Sequence, residues 1–431
     1  MAFSARLFKP PALPRQAWSL LGANGLSALG NGLTMPFLII YLHEVRGLNL
    51  AVSGLAMSTI AVAGALASGP MGTLIDRFGA RPTLAASMAV AAAGSLMMAA
   101  VHESWQAFVA ASVYGTGFSA GWIGLRSLLG AGVPQAVRGD AFAIQHATVN
   151  LGIGIGGITA GLLISVNDPS SFRNLFLLDA LSFATYGALV AWLPAIRSMP
   201  DRAEVAGGVG QKLRYSALFK DRAFLFVGLL TLAVVTVSWP QQEAAFPAFA
   251  VDHGASTRVI GAAFGVNTFL IVGAQLVVMN LVRGKRRTDS MAVMCALYAA
   301  TWAITAMAGF LLPQELRPAG FLLAMGVFAI GECLFSPTLP AIVNDLAPPK
   351  LRGRYNAALG LLLTLGRMLG PALAGAALEA GAGAALFLGL TGACAVLGAA
   401  SLALQRVLPK DANGVPDQEV PAPKDPAAQA V

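Results

Sequence analysis

The hydrophobic positions along the chain fall into twelve long segments that are separated mostly by short polar joints. A helix needs roughly 20 mainly apolar residues to cross a bilayer, and the twelve segments approach or exceed that length. The pattern therefore predicts an all-α membrane protein with twelve transmembrane helices. We place them over residues 17–42, 51–74, 83–101, 106–131, 143–166, 172–194, 223–251, 257–282, 290–312, 317–343, 355–378 and 383–406.

Composition supports a lipid-embedded chain. Only 11% of the 431 residues are charged and 56% are hydrophobic, whereas a soluble globular chain is about 25% charged. The net charge of +8 comes from basic residues scattered through the joints, so it does not form the concentrated patch that nucleic acid requires. The three cysteines lie inside apolar segments and have no metal-ligand spacing, which predicts neither a disulfide framework nor a metal site.

The basic residues are distributed unequally between the two membrane faces. With twelve spans, twenty-two Lys and Arg residues fall on the side of the termini. Only four lie in the opposite joints, namely Arg46, Arg173, Arg258 and Arg317. Cytoplasmic loops carry the excess of Lys and Arg. We therefore expect a multi-pass protein of the bacterial cytoplasmic (inner) membrane with both termini in the cytoplasm.

An internal repeat divides the chain into two halves. The stretch Val137–Gly161 matches Leu351–Gly375 at a constant offset of 214 residues. The matches include Gly156 with Gly370, and each copy runs from a basic turn into a glycine-rich apolar segment. Such repeats are typical of secondary transporters. The predicted organisation is a six-helix bundle over 1–194, a polar cytoplasmic linker over 195–222, a second six-helix bundle over 223–408 and a disordered tail over 409–431.

Three motifs resemble a known family. The joint after the second segment, GTLIDRFGAR, resembles the loop motif GxLxDRxGRR of the major facilitator superfamily, with Ala80 in place of one basic residue. Gly152–Gly161 resembles the superfamily's antiporter motif GxxxGPxxGG without its proline, which the second copy retains as Pro371. Asn267 and Glu332 resemble residues of bacterial drug–proton antiporters. The resemblance covers essentially the whole chain and implies two pseudo-symmetric six-helix halves around a central cavity.

The resemblance assigns a conformational latch to the loop motif. We expect Asp76 to contact the start of the eleventh helix near Arg352, where the helix dipole is positive. The contact would form in one transport state and break in the other; the alternative is a solvated loop pair. The other latch residues are Gly72, Arg77, Gly79 and Arg81. The glycine-rich helices are assigned to close helix packing, without a ligand, through Gly152, Gly156, Gly161, Gly366, Gly370, Pro371 and Gly375.

One face of the fourth segment is aromatic. Tyr114, Phe118 and Trp122 recur every four residues, and Arg126 follows one turn later. Core packing is one interpretation. Because the resemblance places the first, fourth, seventh and tenth helices around the cavity, the other is an aromatic wall for apolar or cationic substrates. Polar residues expected to complete this cavity are Asn24, Asn31, Gln242 and Asn267.

Two residues are the leading candidates for proton coupling. At about 1.5 Å per residue, Glu332 and Arg367 both lie roughly 17 Å deep, on consecutive helices. A Glu332–Arg367 pair that changes between states would let the acid bind and release a proton; the alternative is a permanent structural ion pair. Glu243, expected near the outer surface, is the second candidate. Asp179 is expected to be structural.

No nucleotide-binding loop, nucleophile–base pair or cofactor motif is apparent in the sequence, so we expect neither an enzyme nor a cofactor. The predicted function is proton-coupled export of small apolar or amphipathic compounds by alternating access. Its expected partners are the substrate, protons and the bilayer, with no nucleic acid and a monomeric state. Uptake, sugar efflux or lipid flipping on the same fold remain alternatives, as does a transport-inactive membrane sensor.

Overall fold

The computed structural model describes residues 13–193, 221–335, 337–348 and 351–414. These residues are almost entirely helical and contain no β-strand. The six helices of the N-terminal half are α1 (Arg15–Val45), α2 (Leu50–Phe78), α3 (Ala80–Ala99), α4 (Ser104–Gly132), α5 (Gln135–Leu163) and α6 (Pro169–Trp192). In the C-terminal half, the continuous helices are α8 (Thr257–Val282), α9 (Arg287–Phe310), α11 (Arg352–Glu379) and α12 (Gly383–Ala403).

Two spans of the C-terminal half are interrupted. The seventh consists of α7a (Arg222–Thr236), α7b (Trp239–Glu243) and α7c (Ala245–Asp252). The tenth consists of α10a (Arg317–Cys333) and α10b (Leu339–Leu346). Proline stands at the start of both α7b and α10b, where it cannot donate to the preceding turn. Eleven described helices are long and apolar enough to cross a membrane, and α10a with α10b forms the twelfth span, so the predicted fold class is confirmed.

Helix pairing follows the internal repeat. In the N-terminal half, α1 packs on α5, α2 and α3 pack on α4, and α3 also packs on α6. The C-terminal half repeats this arrangement six helices later: α7a packs on α11, α8 and α9 pack on α10a, and α9 also packs on α12. The two matching sequence stretches therefore occupy equivalent helices, α5 and α11.

The halves meet through α2 with α11 and through α5 with α8. Close contact occurs at the end of the bundle opposite the termini, which we call the far end. A Cβ on Gly161 would lie 2.7 Å from the Thr257 carbonyl oxygen, and one on Gly375 would overlap the Leu50 carbonyl. At the end that carries the termini, the terminal end, a Cβ on Gly72 would meet no atom within 4 Å. The contacts thus close the space between the halves at the far end.

The first residues of the predicted tail are ordered by packing. The backbone carbonyl of Asn413 accepts from the Arg287 N–H at 2.9 Å, and its side-chain oxygen accepts from the Thr288 N–H at 3.0 Å. These bonds cap the start of α9, whose first N–H groups lack partners within the helix. Residues 409–414 are therefore ordered, whereas their sequence predicted disorder. The predicted linker 195–222 lies outside the described residues apart from Asp221 and Arg222.

Candidate functional site

An ion pair between Glu243 and Arg367 lies within the C-terminal half. Arg367 Nη2 donates to Glu243 Oε1 at 3.0 Å, joining α11 to α7b. Both side chains are partly accessible, 35% for Glu243 and 51% for Arg367. This pairing corrects the expected Glu332–Arg367 pair. It also places Glu243 beside Arg367 in mid-α11 rather than at the outer surface, because the seventh span breaks on both sides of α7b.

Glu332 has a different set of neighbours. It lies one residue before the end of α10a and is half-buried. Its Oε2 accepts from Asn267 Nδ2 of α8 at 3.5 Å, a long and therefore weak hydrogen bond. The indole of Trp239 on α7b also lies beside the carboxyl, although its buried Nε1–H is outside hydrogen-bond geometry. Glu332 thus has polar neighbours but no ion pair among the described residues.

The charges of Glu243 and Arg367 both act on Glu332. Two carboxyls therefore share the field of one guanidinium, and we call Glu243, Glu332 and Arg367 the carboxylate cluster. With both acids ionised the cluster carries one net negative charge, and a single proton makes it neutral. Two acids beside one base therefore give the cluster the chemistry to hold one proton or one cationic group of a substrate.

The aromatic face of α4 divides between core and open surface. Tyr114 is only 2% exposed, its ring stacks on Phe118 at 5.9 Å and packs edge-on against Phe183 at 5.7 Å. Trp122 is 36% exposed, and the Arg126 guanidinium lies 5.8 Å from the ring centroid of Phe142 on α5. Tyr114 is therefore a core residue, which corrects its place in the cavity wall, because packing with α6 covers that end of the stripe.

The polar residues expected in the cavity are nearly covered in this state. Exposure is 8% for Asn24, 9% for Asn31, 5% for Gln242 and 6% for Asn267. Asn31 Nδ2 donates to the Tyr114 hydroxyl at 2.8 Å, and Gln242 Nε2 lies 3.8 Å from the Met325 sulfur. These contacts are made inside each half, so both residues are covered by helices of their own half.

The residues of the predicted latch are separated in this structure. Asp76 is exposed and makes no hydrogen bond or ion pair among the described residues. Arg77 stacks on the Phe78 ring at 5.2 Å. Arg81 donates to the carbonyl oxygens of Val190, at 3.0 Å, and Ala191, so it caps the end of α6 instead of serving Asp76. The side chain of Arg352 lies outside the described residues.

Two glycines of the loop motif have different surroundings. Gly79 ends α2 with a φ of +88°, a conformation that favours glycine. Gly72, the other glycine of the predicted latch, has open space around it, since a Cβ there would meet no atom within 4 Å.

The glycines of the repeat lie at equivalent contacts. Any Cβ on Gly152 or Gly156 would clash with the backbone of α1, and one on Gly366 or Gly370 would clash with the equivalent α7a–α7b segment. Pro371 is inside α11, and its carbonyl oxygen lies against Gly54 of α2. The repeated glycines thus join α5 to α1 and α11 to the seventh span, as small residues do at close helix crossings.

One functional candidate was missed in the sequence. Glu379 at the end of α11 accepts from the backbone N–H of Leu50, the first residue of α2, at 2.7 Å. This hydrogen bond crosses between the halves at the far end. Its only signal in the sequence is an acidic residue at the end of an apolar segment, which by itself predicts a solvated surface.

Comparison with known proteins identifies the family. The family model described as Major Facilitator Superfamily matches residues 20–313 and 243–430. The chain belongs to the major facilitator superfamily. Like its superfamily relatives, it is a membrane transporter rather than an enzyme.

Relatives in the superfamily differ in what they transport. The MFS-type transporter YqjV of Bacillus subtilis (strain 168) is 22% identical over 86% of this chain and 88% of its own length. A Na(+), Li(+), K(+)/H(+) antiporter of Planococcus maritimus is 27% identical over 79% of this chain and 84% of its own. The crystal structure of the nucleoside transporter NupG superposes with a TM-score of 0.73 at 17% identity, covering 91% of this chain and 100% of that one.

Proposed function

We propose that this superfamily member exports small apolar or amphipathic compounds from the bacterial cytoplasm in exchange for protons. The observation that carries the proposal is the carboxylate cluster, in which Arg367 pairs with Glu243 and the Glu332 carboxyl lies near both charges inside a transmembrane bundle. Ionisable groups are expensive in the membrane and usually mark ion or substrate pathways. We place both termini in the cytoplasm and the protein in the bacterial inner membrane, on the basis of the charge distribution in the joints.

Alternating access is supported by the contacts between the halves. They are closed at the far end, where Glu379 binds the start of α2, and Asp76 is unengaged at the terminal end. With the termini in the cytoplasm, this state is open inward. We propose that the opposite state forms when the Asp76 latch engages the start of α11, so that the cavity then opens outward.

Proton exchange follows from competition for the cluster. A proton on Glu332 leaves Arg367 paired with Glu243, the arrangement observed here. When Glu332 loses its proton, it competes with Glu243 for the same guanidinium and changes the charge that a substrate meets. Proton and substrate then stabilise different charge states of one site, which is the requirement for antiport.

The surface of α4 supports the proposed substrate class. Half-buried Phe118 and exposed Trp122 offer aromatic faces, and Arg126 lies at the next turn. Aromatic faces bind apolar and cationic groups. Inorganic cation–proton exchange is a second candidate, because the Planococcus maritimus relative carries that activity in its name and the carboxylate cluster would suit a small cation.

The decisive test is Glu332→Gln in proteoliposomes with an imposed pH gradient. Glutamine mimics the protonated acid, so proton-driven transport should be lost while substrate binding and substrate exchange remain. Glu315→Gln is the matched control, because Glu315 is exposed in the joint before α10a and makes no hydrogen bond or ion pair among the described residues. Proton-driven transport at the wild-type rate in Glu332→Gln would contradict the assignment and make Glu243 the next residue to test.

The same proteoliposomes separate the competing functions. A transport-inactive sensor moves neither protons nor substrate, whereas an exporter and an uptake protein move substrate in opposite directions under the same gradient. Loading with sodium, lithium or potassium tests the inorganic-cation candidate. Accumulation of fluorescent compounds in cells with and without the protein identifies the organic substrate class.

A further inference from the structure

A second acid lies in the middle of the N-terminal half, away from the carboxylate cluster. Asp179 is on α6, which runs from Pro169 to Trp192, and its side chain is fully covered, with 0% exposure. At about 1.5 Å per residue, it is roughly 15 Å from one end of the helix and 20 Å from the other. The carboxyl is therefore distant from both ends of the helix and covered by neighbouring side chains.

The two oxygens of Asp179 have different surroundings. Oδ2 accepts from Ser95 Oγ of α3 at 2.9 Å. Oδ1 is buried and has no hydrogen-bond partner among the described residues. It faces Gly30 of α1, where a Cβ would lie only 2.7 Å away, so the glycine leaves the space beside this oxygen free of a side chain. No donor of the described residues reaches this oxygen, so a negative charge on it would be left without a hydrogen bond.

No positively charged group in the described part of the chain compensates Asp179. The groups that face it are the Thr34 hydroxyl of α1, the Ser95 hydroxyl of α3 and the Tyr114 phenol of α4. Ser182, one turn along α6, donates to the Asp179 backbone carbonyl instead. An ionised carboxyl buried without a cation is very costly, and such groups become neutral instead. The surroundings therefore select the protonated acid in the observed state.

A polar path connects this acid with the less enclosed part of the half. The Thr34 hydroxyl lies beside both the Asp179 carboxyl and the Tyr114 hydroxyl, and the Tyr114 hydroxyl accepts from Asn31 Nδ2 at 2.8 Å. Exposure rises along the path from 0% at Asp179 to 2% at Tyr114 and 9% at Asn31. Phe118, which is half-buried, stacks on Tyr114 at 5.9 Å, so the path ends beside the α4 surface proposed to bind substrate.

We propose that Asp179 is a second proton-binding site, and that it exchanges its proton with the space between the halves through Tyr114 and Asn31. The inference rests on the proposed proton-coupled function and deepens it, since each half then holds one proton site. The occupant is a proton rather than a metal cation, because hard metal ions require about six oxygen ligands, whereas Asp179 presents a single free oxygen beside three hydroxyls.

The first test observes the proton itself and requires no substrate. Infrared spectra of the purified protein are recorded as the pH is raised, for wild type, Asp179→Asn and Asp168→Asn. The control changes the same chemical group on the exposed cap of the same helix. Wild type and control should show carboxylic-acid C=O absorption that disappears at high pH. Asp179→Asn should lose the part that belongs to Asp179 and keep the part that belongs to Glu332, which Glu332→Gln identifies. Absorption that persists at every pH, or that is as strong in Asp179→Asn as in wild type, would overturn the proposal.

The second test counts protons during transport. Asp179→Asn should transport substrate with one proton fewer per cycle, measured as a shift of the reversal potential, and Asp168→Asn should keep the wild-type ratio. An unchanged ratio in Asp179→Asn would show a structural acid. If Asp179→Asn does not fold, Tyr114→Phe replaces it, because the ring packing is kept and only the hydroxyl is lost. Tyr114→Phe should slow the exchange of the Asp179 proton for deuterium, which is read from the infrared band. Exchange at the wild-type rate would refute the path.

The two proposals fail in distinguishable ways. Loss of coupling in Glu332→Gln bears on the carboxylate cluster alone, whereas the infrared titration of Asp179 does not depend on any transported compound. Repeating the titration with sodium chloride in place of choline chloride adds a further arm. Removal of the acid band by sodium at constant pH would assign the site to an alkali cation and overturn the proton assignment.

Discussion

Glu379 offers a direct test of the contact that closes the far end. Its carboxylate accepts the Leu50 N–H at 2.7 Å across the interface between the halves. The first N–H groups of a helix lack partners within that helix, and the positive end of its dipole favours an anion. Glu379→Gln keeps the size of the side chain and an acceptor oxygen but removes the charge. The closed far end should therefore lose stability relative to the state in which the halves separate there.

The expected magnitude follows from measured helix caps. An anion near a helix N-terminus contributes about 0.3–1 kcal/mol at an exposed site, and a capping hydrogen bond about 1 kcal/mol. The Glu379 contact is exposed, so we take about 1 kcal/mol for its loss in Glu379→Ala and about half of that in Glu379→Gln. Since 1.4 kcal/mol is a factor of ten, the closed-to-open ratio should fall about fivefold in the alanine variant and about twofold in the glutamine variant.

Distances between the halves provide the assay. Asn167 and Gln314 are exposed in far-end joints of opposite halves, and a spin label on a cysteine at each position reports the separation as a distribution of distances. The three native cysteines are buried, which limits background labelling. Both Glu379 variants should move population from the short to the long distance, more in alanine than in glutamine.

Asn49→Ala is the matched control for this experiment. Asn49 Oδ1 caps the same end of α2 by accepting the Val52 N–H at 2.8 Å, but the contact lies wholly within one half. Its loss should weaken α2 equally in both states and leave the distance distribution unchanged. If Glu379→Ala behaves like Asn49→Ala, the cross-half hydrogen bond does not set the conformational equilibrium, and the reasoning is refuted.

Two further predictions concern the opposite end and the substrate surface. Asp76→Asn should insert normally but favour the state open at the terminal end, seen as greater cysteine labelling there and slower transport; unchanged transport at equal expression would reduce Asp76 to a solvated residue. Trp122→Ala should weaken binding of aromatic or cationic substrates about tenfold, since a desolvated stacking contact is worth about 1–2 kcal/mol, while Trp105→Ala, also exposed, should not. Equal effects of the two changes would exclude Trp122 from the binding surface.

The sequence determined the architecture because the bilayer leaves few solutions. Each span must satisfy its own backbone hydrogen bonds within lipid, so long apolar segments predicted the helices before any tertiary contact was considered. The repeat likewise predicted equivalent roles for α5 and α11, and their glycines lie at matching crossings with α1 and the seventh span. The loop motif also supplied a glycine, Gly79, at the end of α2, where the backbone has a positive φ that few other residues adopt.

Only the tertiary structure decided which polar groups meet. Depth along a helix placed Glu332 level with Arg367, but depth does not give rotation about the helix axis. The breaks around α7b turn Glu243 toward Arg367 instead. Periodicity placed Tyr114, Phe118 and Trp122 on one face of α4, yet packing against α6 buries the first and leaves the last exposed.

The contacts of Asp179 and Glu379 show the same limit. Each residue is a single acid in or beside an apolar segment, and its chemistry depends on helices that are distant in sequence. Ser95, 84 positions before Asp179, donates a hydrogen bond to it. Leu50, 329 positions before Glu379, donates its backbone N–H to that acid. Local sequence specifies the helices because their hydrogen bonds are local, whereas the pairing of buried charges is settled only when separate helices pack.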